Sequence, residues 1–182
     1  RRLAKPDRVG PNRYDPPTLM ILASQSASRR AMLDAAGVAY HAQPAHVDER
    51  AIEAALGDAA PTQIALALAG AKALAVSAGH PDEIVLGSDS LVECGGRRFD
   101  KARDRNAAAE HLRFFSGKVM HLHSAAALAR GGAIVWQDAS VAALRVVTLS
   151  DAFIERYLSL EWPEVAGCVG VFRIEGRGAS RC

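Results

Sequence analysis

Residues 19–33 read LMILASQSASRRAML, and this stretch decides the fold class. The run 19–23 is continuously apolar and of strand length. Ser24, Gln25 and Ser26 break it, and a helical pattern follows through Ala35 with Met32, Leu33 and Ala36 offered to the core. Gly37 stands where a C′ glycine ends a helix. A buried strand feeding a helix through a Ser-rich turn is the opening unit of an α/β sheet.

The rest of the chain extends that unit. Residues 38–45 suit a second strand. Residues 61–78 predict the clearest helix, with Pro61 in its first turn and Ile64, Leu68 and Ala71 on one face. EIVLG at 83–87 is another buried strand, with Ser88, Asp89 and Ser90 at its end. Gly95-Gly96 turns a hairpin between LVE and RRF. Asp104 caps a helix to Phe115, with Gly117 as its stop. Two β-prone runs, 119–129 and 133–147, flank Gly131-Gly132, and Ser150 opens a last helix, DAFIERYLSL. Strands interleaved with helices and hairpins predict a mixed β-sheet flanked by helices.

Composition sets the bounds. Of 182 residues, 49% are hydrophobic and 23% are charged, which suits a globular chain rather than a disordered one. The first 18 residues, opening RRLAKPDRVGPNRYDPP, read as a flexible N-terminal tail. They are basic but hold no apolar stretch, so they do not form a signal peptide. Residues 19–182 read as one domain. A net charge of +2 is too small to imply a nucleic-acid or membrane partner, and no apolar run reaches the length of a membrane span. Cys94, Cys168 and Cys182 form no CxxC pair, which excludes a zinc ribbon built from neighbours and suits a reducing, cytoplasmic setting.

Several residue groups carry candidate chemistry. Ser24, Ser26, Ser28, Arg29 and Arg30 lie between a strand and a helix N-terminus, where free N–H groups and the macrodipole favour anions. Arginines are unfavourable in a first turn unless an anion is near; the alternative is a plain N-cap followed by solvated arginines. Lys72 falls four residues after Leu68, on the inward face, where a lysine either snorkels or meets an anion in a cleft. Asp89 is expected at the carboxyl end of its strand, where open α/β sheets place ligands and an acid can hold a metal or accept a proton. A turn-forming Asp is the bland reading there. Lys101 and the acidic pair Asp48-Glu49 are weaker signals. His121 and His123 share a face without a third ligand nearby and read as surface histidines.

Taken in order, ILASQSASRRAML, VDE, LAGAKA, VLGSD, DK and FFSGK resemble the Maf family of nucleoside triphosphate pyrophosphatases over about residues 19–179. The resemblance implies a mixed α/β fold with a cleft between two lobes, similar to inosine triphosphatases, often as homodimers. It implies hydrolysis of a nucleoside triphosphate to the monophosphate and pyrophosphate with magnesium or manganese, as cytoplasmic house-cleaning. By that resemblance Asp89 is the general base, Ser24, Ser26, Arg29, Arg30, Lys72 and Lys101 bind phosphate, and Glu49 with Asp89 holds the metal. A historical link to septum formation implies the alternative of a nucleotide-binding regulator with little catalysis.

Within the family, SASRR and Glu175 in FRIEG resemble the 7-methyl-GTP subgroup, which makes Ser28, Ser90 and Glu175 the expected specificity positions. Ser28 stands where that subgroup has Trp, and Ser90 where it has Gln. Ala27 replaces the family's Pro, Asp100 a Gly, and Ala102 a Pro. The chain stops at GASRC, where family members continue into a strand, a turn and a helix, so a C-terminally shortened domain is expected. At ~25 cal/mol per Å2 of exposed apolar surface such a loss costs several kcal/mol.

Overall fold

The computed structural model describes residues 19–173. The predicted N-terminal tail and the position of Glu175 lie outside the described residues.

Six strands form one sheet in the order β2–β1–β3–β5–β6, with β4 paired to β3. They are β1 (Met20–Leu22), β2 (Tyr40–Ala42), β3 (Val85–Cys94), β4 (Arg97–Phe99), β5 (Val119–Arg130) and β6 (Ala133–Arg145). β2, β1 and β3 run parallel, whereas β4, β5 and β6 join antiparallel. The helices are α1 (Ala27–Ala35), α2 (Glu49–Leu56), α3 (Pro61–Ser77), α4 (Arg105–Phe115) and α5 (Asp151–Glu161), followed by a 3-10 turn at Glu164–Gly167. This is the mixed, helix-flanked α/β sheet that the sequence predicts.

Period-two alternation along β3 sorts the core onto two faces. Leu91, with Ala125, Ala127 and Ala129 of β5, packs against Ile64, Leu68, Ala69 and Ala73 of α3. Val92 and Cys94 point the other way, into a cluster with Leu112 and Phe115 of α4 and Ile154, Tyr157 and Leu158 of α5. α3 is thus sandwiched onto one face, and α4 with α5 onto the other.

Local signals account for most boundaries. Asp104 Oδ1 accepts from the Ala107 amide at 2.7 Å, and Ser150 Oγ from the Phe153 amide at 3.2 Å. Pro61 opens α3, and Gln63 Oε1 reaches back to the Ala60 amide. Gly37 follows α1 with φ +66°, a conformation that favours glycine.

Two expectations need correction. β3 does not end at Ser88-Asp89-Ser90: it runs on to Cys94 because β5 pairs with it along its whole length. Asp89 is therefore mid-strand, three residues past Leu86, which is where pairing with β1 stops. α1 buries none of its residues, and Met32 and Ala36 are exposed, because no described element packs over that apolar stripe. No element is predicted where α2 lies.

Candidate active site

Beyond Leu22, β1 gives way to the turn 23–26 while β3 continues, and this uncovers the edge of β3 at Asp89. A cavity of about 1170 Å3 opens there, lined by the Ser-rich turn, the start of α1, α2, α3, the middle of β3, Phe99–Lys101 and the segment from Glu164 to Arg173. Its size suits a nucleotide.

Asp89 is 6% exposed and lies on the α3 face of the sheet. Lys72 extends from α3 toward it, and its Nζ donates to Asp89 Oδ1 at 2.6 Å. The same ammonium is 3.0 Å from Glu49 Oε1. The inward expectation for Lys72 therefore holds, and the lysine meets carboxylates instead of snorkelling to water. Arg29 NH2 is 3.8 Å from Asp89 Oδ1, and Arg29 NH1 donates to Ser24 Oγ at 3.1 Å. Burial raises the Asp89 carboxyl above its ordinary range, against the pull of Lys72 and Arg29 and with a small push from Glu49. Burial also lowers the Arg29 guanidinium, against Asp89 and Glu49.

The turn is built for polar contact at its mouth. Ser24 Oγ accepts from the Ser26 amide at 3.1 Å, and Ser26 and Ser28 share a hydroxyl contact of 2.9 Å. Ser26 occupies the N-cap position of α1 without a side-chain capping bond, so the plain N-cap reading does not describe it. Glu49 begins α2, whose N-cap Asp48 accepts from the Ala51 amide at 3.0 Å. Lys101 is exposed, lines the cavity and forms no ion pair among the described residues.

Arg30 departs from expectation. It is exposed and does not line the cavity, whereas its neighbour Arg29 does. Ser90 lines the cavity edge, but its hydroxyl lies on the opposite sheet face, 3.4 Å from Ser124 Oγ. His121 and His123 are partly exposed, and each is tied down at Nδ1, His121 to Glu93 at 3.0 Å and His123 to Thr62 at 2.8 Å. No group of three or more His, Cys, Asp or Glu residues suited to a metal occurs among the described residues.

Sequence reasoning missed Arg50 and Glu53, which follow Glu49 along α2 and also line the cavity. The capping Asp48 and terminal Gly57 were the available signals for that helix. Glu53 pairs with Arg98 of β4 at 2.8 Å, tying α2 to the hairpin. Glu164, Cys168 and Arg173 reach the cavity from a segment whose placement has no local signature.

The model of the Maf-like protein family matches residues 19–181. The chain belongs to this family. A Maf-like relative from Rhizobium meliloti, named 7-methyl-GTP pyrophosphatase, is 44% identical over 162 residues, covering 88% of this chain and 81% of the relative. One from Rhodopseudomonas palustris, named nucleoside triphosphate pyrophosphatase, is 43% identical over 162 residues, covering 89% and 80%. Among solved structures, a HAM1 protein from Coxiella burnetii overlaps 70% of this chain and 72% of its own at 16% identity and a TM-score of 0.42. No helix among the described residues of this Maf-like chain is long and apolar enough to cross a membrane.

Proposed function

We propose that this chain hydrolyses a nucleoside triphosphate to the monophosphate and pyrophosphate, with Asp89 as general base. The carrying observation is a buried carboxylate, Asp89, placed inside a nucleotide-sized cavity against Lys72 and Arg29. The names of the Maf-like relatives support the same reaction.

In this reading Asp89 takes the proton of a water whose oxygen bonds to the α-phosphorus, and the bond to the bridging oxygen of the β-phosphate breaks. A raised carboxyl suits that role, because a stronger base accepts the proton more readily. Arg29, Lys72 and Lys101 neutralise phosphate oxygens, and their charge counts most as the leaving pyrophosphate develops its own. Ser24 orients Arg29 through the 3.1 Å bond, so the guanidinium needs little reorganisation when substrate arrives.

The donor set fits a divalent cation bound together with substrate. Among the described residues, five cationic side chains line the cavity (Arg29, Arg50, Lys72, Lys101, Arg173) against five carboxylates (Glu49, Glu53, Asp89, Asp100, Glu164), so this described lining has no formal surplus to balance a triphosphate. Asp89 and Glu49 would supply hard oxygen ligands of the kind magnesium or manganese takes. Such a cation would supply charge neutralisation at the phosphates.

Three cysteines without a CxxC pair suit a cytoplasmic nucleotide pool. The two relatives carry different substrate names at nearly equal identity, so the base is decided by assay. Purified protein is incubated with magnesium and a panel of triphosphates including 7-methyl-GTP, and pyrophosphate is measured. Turnover of at least one member is expected. Tight binding without pyrophosphate release would replace this reading by that of a nucleotide-binding regulator.

A further inference from the structure

Gly87 lies two residues before Asp89 on β3 and faces α3 as Asp89 does. A Cβ there would stand 2.1 Å from the Ala69 carbonyl oxygen, 2.6 Å from the Ala73 amide nitrogen and 3.0 Å from the Ala73 Cβ. The first two are backbone atoms of α3, so no rotamer change relieves them. Gly87 is extended, with no left-handed backbone angle to require glycine. Close approach of helix to strand is what the missing side chain provides.

We propose that Gly87 is a positioning residue: it lets α3 rest directly on β3, and thereby sets Lys72 Nζ within hydrogen-bond reach of Asp89. Ala69 and Ala73 bracket Lys72 on the helix, so the contact lies within one turn of the ammonium. Restoring an ordinary contact at Ala69 requires α3 to move by roughly 1 Å. That displacement carries a 2.6 Å bond beyond the usual limit of ~3.2 Å.

Gly70 provides the control. It lies on the same helix and is buried, yet a Cβ there would meet only Ile134 Cδ1 at 3.8 Å and Gln137 Oε1 at 4.0 Å. Gly70→Ala is therefore accommodated, raises helix propensity and leaves turnover unchanged.

The inference rests on the reading of Asp89 and Lys72 as reaction machinery. Its test measures kcat and KM with the substrate found in the nucleotide panel, in a Gly70→Ala background that supports α3. Adding Gly87→Ala is expected to lower kcat at least tenfold. In a Lys72→Met background the same change is expected to lower kcat less than twofold, because its effect travels through the ammonium; purely structural damage would instead add independently. Equal losses in both backgrounds, or a wild-type kcat in Gly87→Ala, overturn the positioning role. Failure of Gly87→Ala to fold in the supported background overturns it too, since the glycine would then serve folding. Asp89→Asn, run alongside, separates the two levels: full turnover there rejects the reading of the site itself.

Discussion

Lys72 Nζ sits 2.6 Å from Asp89 Oδ1 although 17 residues separate them, because α3 is laid along β3 and both side chains face the helix–sheet seam. One buried cation thus serves as partner to the proposed base and, at 3.0 Å, to Glu49 at the start of α2. Three elements that share no local sequence signal converge on one atom.

The pairing sets a pH dependence. As a base Asp89 acts deprotonated, so kcat/KM falls as pH drops through its pKa. Burial raises that pKa, and Lys72 opposes the rise. The acid limb of the profile should lie above the ordinary carboxylate value of about 4. Lys72→Met removes the opposing charge and should move the limb to higher pH. A limb that stays in place or moves down contradicts the assignment.

The two adjacent arginines should separate in function. Arg29 lines the cavity and contacts Ser24 and Asp89, whereas Arg30 is exposed outside it. A charge-assisted hydrogen bond is worth about 1.5–3 kcal/mol, so Arg29→Ala should lower kcat/KM about 10- to 100-fold. Arg30→Ala should change it by less than about threefold. Comparable losses in steady-state assays of the two variants would contradict the geometry.

Leu112 is fully buried in the cluster between the sheet, α4 and α5. Leu112→Ala should destabilise the fold by about 2–5 kcal/mol in denaturant titration. Because that cluster lies on the sheet face away from α3, the site geometry should survive and kcat at 25 °C should change little. A stability loss below about 1 kcal/mol would contradict the packing described.

Much of this was legible in the sequence, for reasons visible at particular residues. The apolar run before Ser24 and the glycine at 37 marked β1 and α1, because strand length and C′ chemistry are local. Lys72 was placed inward by its spacing from Leu68. What local pattern could not supply was tertiary partnership. The apolar run 83–87 stops just before Ser88-Asp89-Ser90 and so places Asp89 at a strand end; β5, far along the chain, holds β3 extended to Cys94. The apolar stripe of α1 resembled a core face, yet Met32 has nothing described to pack against. In sequence Asp48-Glu49 is a pair of charges; in the structure it is the N-cap and first-turn acid of α2. Adjacency alone pairs Arg29 with Arg30, yet only Arg29 of the two lines the cavity.

The most direct test of the proposed chemistry replaces Asp89 by Asn, which keeps the side-chain shape and removes the basic oxygen. Pyrophosphate release and nucleotide binding are measured on the same preparation with magnesium. Release should fall about 10^2- to 10^4-fold, while the nucleotide still binds. Turnover within tenfold of the unmodified protein would contradict Asp89 as the base.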